Sequence, residues 1–186
     1  LDALGVYYHM SGDEQVLNAL YLAAHFHARY TYPDGSSVET VDERNAYHAG
    51  VHLGNPGFSY TDIGRGYLAR QHGLFLEADG KFDVDYATNM LLAAVEGPVE
   101  SAGSSLNHFT YRMEQDSLIV RQKPWFISLS AYVCPPSGNR FRQDRQNFVS
   151  VFHDQTGLII GGGNTKLQPL WSTCTIGDPG LLFHTP

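Results

Sequence analysis

The amino-acid sequence changes its hydrophobic period once, and that change restricts the folds open to it. Up to about Gly97 the apolar residues recur at helical spacing, and from Leu106 onward they alternate. Val16, Leu17, Leu20, Tyr21 and Ala24 fall on one side of a helical repeat, so the stretch to about Tyr30 reads as a helix with one apolar face. Ser11, Gly12, Asp13 and Glu14 have the order of a capping box, with Ser11 as N-cap and Glu14 three residues on. The residues from Leu1 to Met10 then read as the end of an earlier helix, and the two helices as a hairpin. Tyr32, Pro33, Asp34 and Gly35 form a stop signal. Thr61 or Asp62 caps a further helix carrying Tyr67, Leu68, Leu74 and Phe75. Asp83 or Asp85 opens the last one, through Val95, with Tyr86, Met90, Leu91 and Ala94 on one face. Residues 36–60 have no clear period and are rich in Gly, His, Asn and Tyr. They read as an ordered surface loop with short helical turns.

After Gly97 and Pro98, and a linker containing Gly103, Ser104 and Ser105, the alternation predicts strands over 108–113, 118–121, 125–133, 148–152, 157–160 and 170–176. Their turn spacing indicates an antiparallel sheet or sandwich. Gly161, Gly162, Gly163 and Asn164 lack a following Gly-Lys pair and a helix, so they mark a bulge or tight turn rather than a phosphate loop. The expected fold class is an α+β multidomain fragment, with a helical part over 1–100 and an antiparallel β part over 101–186. It reads as a fragment because the sequence opens inside a helix without a leader-like composition, so the upstream part of its own chain is an expected partner.

Composition narrows the function classes. Hydrophobic residues make up 42% of the chain, which supports a packed core, whereas charged residues make up only 17%. Gly, Asn, Gln, Ser and Tyr fill the difference, a mixture that suits sugar-facing grooves and ordinary β domains alike. The net charge is −7 and the basic residues are dispersed, which argues against nucleic-acid or membrane-surface partners. No apolar run approaches the roughly 18 residues of a spanning helix. Cys134 and Cys174 lie in expected strands and are read either as a pair in an oxidising compartment or as two separate buried thiols. Trp125 and Trp171 read as core residues, with sugar-stacking platforms as the other reading.

The densest set of reactive side chains lies between Asp34 and Asn55: Glu39, Asp42, Glu43, Arg44, Asn45, Tyr47, His48 and His52. Carboxylates, a phenol, imidazoles and a guanidinium together could carry out β-elimination on a uronic acid. That reaction needs a base for the proton α to the carboxylate, a cation or hydrogen-bond donor for the developing enolate, and an acid for the leaving oxygen.

The helical hairpin around Leu4, Tyr8 to Glu14 and Leu17 resembles the helix pairs of α/α-toroid enzymes. Asp34 and Gly35, then Glu39, then Tyr47 and His48 are similar to the Asp-Gly…Glu…Tyr-His segment of heparinase II/III-like polysaccharide lyases. In the β half, Arg142, Gln143 and Asp144 lead into strand, turn, strand and Gly as that family's His-x-Asp segment does, with Arg142 where the family has His. The resemblance implies the C-terminal part of an α/α toroid followed by an antiparallel β-sandwich, and a secreted or periplasmic protein whose partner is an anionic uronate polysaccharide. It makes Tyr47 the catalytic base and acid, assisted by His48, with Arg142 or Arg44 neutralising the uronate carboxylate. Asn45, Glu39, His52 and Arg145 join as substrate-binding residues, Glu39 orienting the loop. No catalytic cofactor is expected. His108, His153 and Asp154 are the residues that could join a structural divalent metal site. Two other readings stand beside it: a non-catalytic carbohydrate-binding or structural member of the same architecture, favoured by Arg142, and a glycoside hydrolase on an α/α scaffold drawing a carboxylate from Glu39, Asp42 or Glu43.

Overall fold

The computed structural model describes residues 2–38, 47–101, 103–113, 117–133 and 145–161; the side chains of residues 2, 131–133 and 145–148 lie outside that description. The chain is α+β and divides into two compact units, Leu1–Ser36 with Gly50–Leu106, and Ser37–Ala49 with Asn107–Pro186.

The first unit is helical: α1 (Asp2–Ser11), α2 (Glu14–Arg29), a 3₁₀ helix over Pro56–Tyr60, α3 (Asp62–Glu77) and α4 (Val84–Ala93). A side chain at each of three N-termini accepts an amide hydrogen bond that the helix itself cannot satisfy. Asp13 accepts from Gln15 at 2.9 Å, Thr61 from Gly64 at 3.1 Å and Asp83 from Tyr86 at 2.7 Å. The expected capping box is therefore displaced. Ser11 is the last residue of α1, where its hydroxyl bonds back to the Tyr7 carbonyl, and Asp13 caps α2. Gly12, at φ 65°, takes the reversal in a left-handed conformation, so two residues suffice to join the helices.

Small residues let these helices approach closely. Ala24 and Ala28 of α2 meet Ile63, Tyr67 and Leu68 of α3 around Phe58, with Ala23 and Met90 packed against that cluster. Phe58 is only 1% exposed and Pro56, Gly57 and Ser59 are buried with it, so the end of the 36–60 segment is core rather than surface loop. A single 3₁₀ turn is too short to show a period in sequence. Gly57 also meets Gly5 of α1 backbone to backbone: a Cβ on Gly5 would lie 2.6 Å from the Gly57 Cα. The last helix departs from expectation too. It stops at Ala93, and Leu91, assigned to its apolar face, is 86% exposed.

The second unit is an antiparallel meander, β1 (His108–Met113), β2 (Ser117–Gln122), β3 (Trp125–Val133), β4 (Arg145–His153) and β5 (Gly157–Ile160), in that spatial order. Side chains alternate between faces. One face buries Ile119, Arg121, Phe126, Ser128, Ser150 and Phe152. The other carries Leu118, Val120, Ile127, Leu129, Val149 and Val151, all half-buried. Among the described residues there is one sheet. The expected strand over 170–176, Trp171, both cysteines and the turn over 114–116 lie outside the described residues. Trp125 is corrected by the register: it opens β3 on the half-buried face and is 43% exposed, not core.

Arg121, buried in the sheet, holds both carboxylate oxygens of Asp154 at 2.7 and 2.9 Å and donates to the Trp125 carbonyl at 3.3 Å. Removing one partner of such a pair strands a buried charge, which costs about 3–5 kcal/mol. Asp154→Ala is expected to lower the unfolding free energy by about 3 kcal/mol in urea titrations, and the double variant Arg121→Met, Asp154→Ala to recover most of that loss.

Candidate functional site

Of the side chains singled out in sequence, Asp34 is the first whose role the structure defines. Its Oδ1 accepts from the Ser36 amide at 2.9 Å and from the Ser36 hydroxyl at 2.6 Å, closing the turn over 32–36, where Gly35 sits at φ 87°. The carboxylate is thus committed to shaping the turn.

Helix α3 grips that turn. Gln71, fully buried, donates from Nε2 to the carbonyls of both Gly35 and His52 at 2.8 Å. His52 returns its own amide to the Gly35 carbonyl at 3.2 Å. One turn back on the same face, the Tyr67 hydroxyl donates to the His52 carbonyl at 3.3 Å. Arg70 reaches the carbonyls of Pro33 at 2.7 Å and Tyr32 at 3.2 Å, and its other nitrogen donates to Gln71 Oε1 at 3.1 Å. Further along, the Tyr86 hydroxyl donates to the Gly54 carbonyl at 3.0 Å while it is paired with His72 Nε2 at 2.6 Å. The backbone on either side of the reactive segment is therefore bound by side chains of α3 and α4. None of Tyr67, Arg70, Gln71, His72 and Tyr86 was expected as a site residue. The available signal was Gln71 itself, a polar residue on the stripe of α3 defined by Tyr67 and Leu68.

The expected site residues are placed as follows. Tyr47 is half-buried and His48 exposed, both in the unit of residues 37–49 and 107–186; His52 is exposed and belongs to the helical unit. Arg145 lies in β4, with its side chain outside the description. Glu39, Arg44, Asn45 and Arg142 lie outside the described residues, as do Asp42 and Glu43. His25 and His27 point to different faces of α2, as their spacing implies: His25 packs on Tyr21 and pairs with Arg29, while His27 lies against Phe58 and Tyr67. Among the described residues no group of three or more side chains could hold a metal ion. His108 and His153 are separated by three strand spacings, roughly 14 Å at the usual interstrand distance, and Asp154 is held by Arg121, so these three do not form a site.

The helical unit also has an open groove of about 460 Å³ lined by Glu14, Asn18, Tyr21, Tyr60, Asp62 and Glu100 among others. None of the residues expected from sequence lines it. Asp62 is paired with Arg65, and Tyr60 accepts or donates to His9 Nδ1 at 2.9 Å. Its acidic lining opposes an anionic polymer.

Comparison of the chain with protein-family models, with curated proteins and with solved structures returns no match. No helix among the described residues is long and apolar enough to cross a membrane.

Replacing Gln71 removes one of two donors from the buried Gly35 carbonyl, which keeps the His52 amide, and from the partly buried His52 carbonyl, which keeps the Tyr67 hydroxyl, at about 0.5–1.5 kcal/mol for each bond lost. Gln71→Ala is expected to destabilise the helical unit by about 1–3 kcal/mol, measured by chemical denaturation. A second expectation concerns pH. Burial pushes His27 below the usual imidazole range, with the neighbouring His52 adding to it, and burial lowers His72 as well. The unfolded chain then binds more protons than the folded one from about pH 6.5 down to the lowered folded values, so stability falls as pH drops through that window and is level above it. His27→Gln is expected to flatten part of that slope, read as denaturation midpoints from about pH 7.5 to 5.

Proposed function

We propose that this protein acts on an anionic, uronate-containing polysaccharide as a lyase of the heparinase II/III-like kind, outside the cytoplasm where such polymers are met. The observation that carries the reading is the clamp at Gln71. The segment bearing Tyr47 and His48 is bounded in sequence by Gly35 and His52, and the carbonyls of both are held by one buried amide. Reactive loops function when a rigid scaffold fixes their ends.

In this reading the Tyr47 phenolate removes the proton α to the uronate carboxylate, and the same hydroxyl then protonates the departing glycosidic oxygen. Arg44 or Arg142 neutralises the carboxylate and lowers the cost of the enolate, a role suited to a permanently charged planar fork. His48 assists Tyr47, and Asn45, His52, Glu39 and Arg145 orient the chain of sugars. The helical unit is taken as part of an α/α toroid and the sheet as one layer of a sandwich. Two features support this. Val6, Tyr7 and Met10 of α1 and Leu91 and Leu92 of α4 are exposed, as in a helical layer that continues. Both faces of the sheet are at least half-buried along their middle, as in a strand layer covered twice.

Two observations favour other outcomes. Arg142 replaces a proton carrier, which favours a member that binds without cleaving. The acidic groove that includes Glu14 and Glu100 favours hydrolysis of a neutral glycan by paired carboxylates. Incubation with a panel of uronate polysaccharides separates the three. Elimination raises ultraviolet absorbance from unsaturated uronate ends, hydrolysis yields reducing ends without that absorbance, and binding yields neither. Tyr47→Phe is expected to reduce the elimination rate by about 10²–10⁴-fold with the fold intact, and an unchanged rate would remove Tyr47 from the chemistry.

A further inference from the structure

The register of the sheet places four side chains in one row across one end of it. His108 pairs with Gln122, Gln122 with Trp125, and Trp125 with His153, so all four project from the same face. His108, Gln122 and Trp125 are exposed and His153 is half-exposed. The row spans roughly 14 Å at ordinary strand spacing. Its fifth position is Gly157, where an added Cβ would meet no atom within 4 Å, so that end of the row is open.

We propose that this row is a binding platform for the pyranose rings of a polysaccharide, separate from the chemistry assigned to Tyr47. A pyranose presents a flat face of C–H groups and a rim of hydroxyls, each both donor and acceptor. Trp125 supplies a flat apolar surface, 43% exposed and propped at 4.7 Å by the His153 ring. The flanking groups supply both hydrogen-bond senses. His108 Nδ1 lies 3.1 Å from Gln122 Oε1; an amide oxygen only accepts, so this nitrogen donates, and in the neutral ring Nε2 is left as an acceptor. His153 Nδ1 accepts from the Gln155 amide at 3.2 Å, so its Nε2 carries the hydrogen. Gln122 keeps its amide donors. A nucleic-acid base would stack equally well, but its phosphates would meet a chain of net charge −7.

The platform is also rigid before any ligand arrives, which limits the entropy lost on binding. The Lys123 amide donates to the Asn107 carbonyl at 3.0 Å and the Asp154 amide to the Pro124 carbonyl at 3.0 Å, lacing the ends of β1 and β2, and of β3 and β4, together in pairs. Arg121 holds the Trp125 carbonyl from the opposite face at 3.3 Å.

The test is native affinity electrophoresis of the whole chain through gels containing soluble β-glucan, xylan or polygalacturonate. At least one polymer is expected to retard the protein. Trp125→Ala is expected to need at least tenfold more polymer for equal retardation, Gln122→Ala several-fold more, and Val84→Ala, an exposed position of the helical unit, no more than the parent. Full mobility in every gel overturns the proposal, as does undiminished retardation of a Trp125→Ala variant with the parent circular dichroism spectrum. Should Trp125→Ala not fold, the exposed Gln122→Ala decides alone, and undiminished retardation overturns the platform. Equal loss of retardation with Val84→Ala overturns it as well, because the effect would then not be specific to the row; loss of lyase activity with Tyr47→Phe bears on Tyr47 and leaves the platform standing.

Discussion

The buried amide of Gln71 is the contact on which the helical unit's irregular part depends. Two backbone segments with little regular structure, the turn over 32–36 and the stretch after Gly50, lie against the interior carrying carbonyl groups that are buried or partly so. A buried carbonyl without a partner costs more than an ordinary hydrogen bond returns, so such a route is stable only where a donor waits. Gln71 provides two hydrogens from one nitrogen, and Tyr67 and Arg70 satisfy neighbouring carbonyls from the same helix. Helix α3 therefore packs its apolar residues on α2 and Phe58, and at the same time serves as a ladder of donors for chain that forms no ladder of its own.

The sheet meets the same requirement differently. Its backbone groups are paired by the meander, and the buried polar member is a side chain, Arg121, matched to Asp154 in bidentate fashion. That pair ties the turn between the last two strands to the middle of the sheet. It also explains why the exposed row of His108, Gln122, Trp125 and His153 keeps its order at the sheet's end: the strand ends beneath it are laced by amide hydrogen bonds and by the Arg121 guanidinium. Rigidity on one face is what makes the other usable for recognition.

The regular elements were legible before any coordinates. The helix starts at Thr61 or Asp62 and at Asp83 or Asp85, the alternation from His108, and the bounds of the strand opening at Trp125 follow from local rules, because a helix or strand long enough to repeat its period advertises it; the structure chose Thr61 and Asp83 as the caps. The misreadings fall where the period is too short or where a neighbour decides. Asp13 outcompetes Ser11 as cap because α1 runs one residue further. Phe58 is core because a single 3₁₀ turn puts it between two helices. Leu91 is exposed because no described element covers that side of α4, and Trp125 is exposed because it stands at the end of its strand rather than in the middle.

Of the site, the reactive residue types near Tyr47 were visible in sequence, since chemistry is written in side-chain identity. The support was not. Gln71 lies 36 residues from Gly35 and 19 from His52, and no local pattern relates them. The row on the sheet was equally hidden: His108, Gln122, Trp125 and His153 become neighbours only through the strand register. The sequence by itself determined which segments are helix or strand, because those depend on residues a few places apart. Which polar side chain satisfies a distant carbonyl, and which side chains share an exposed edge, was decided by tertiary structure alone, because hydrogen bonding and burial act between atoms brought together by the fold.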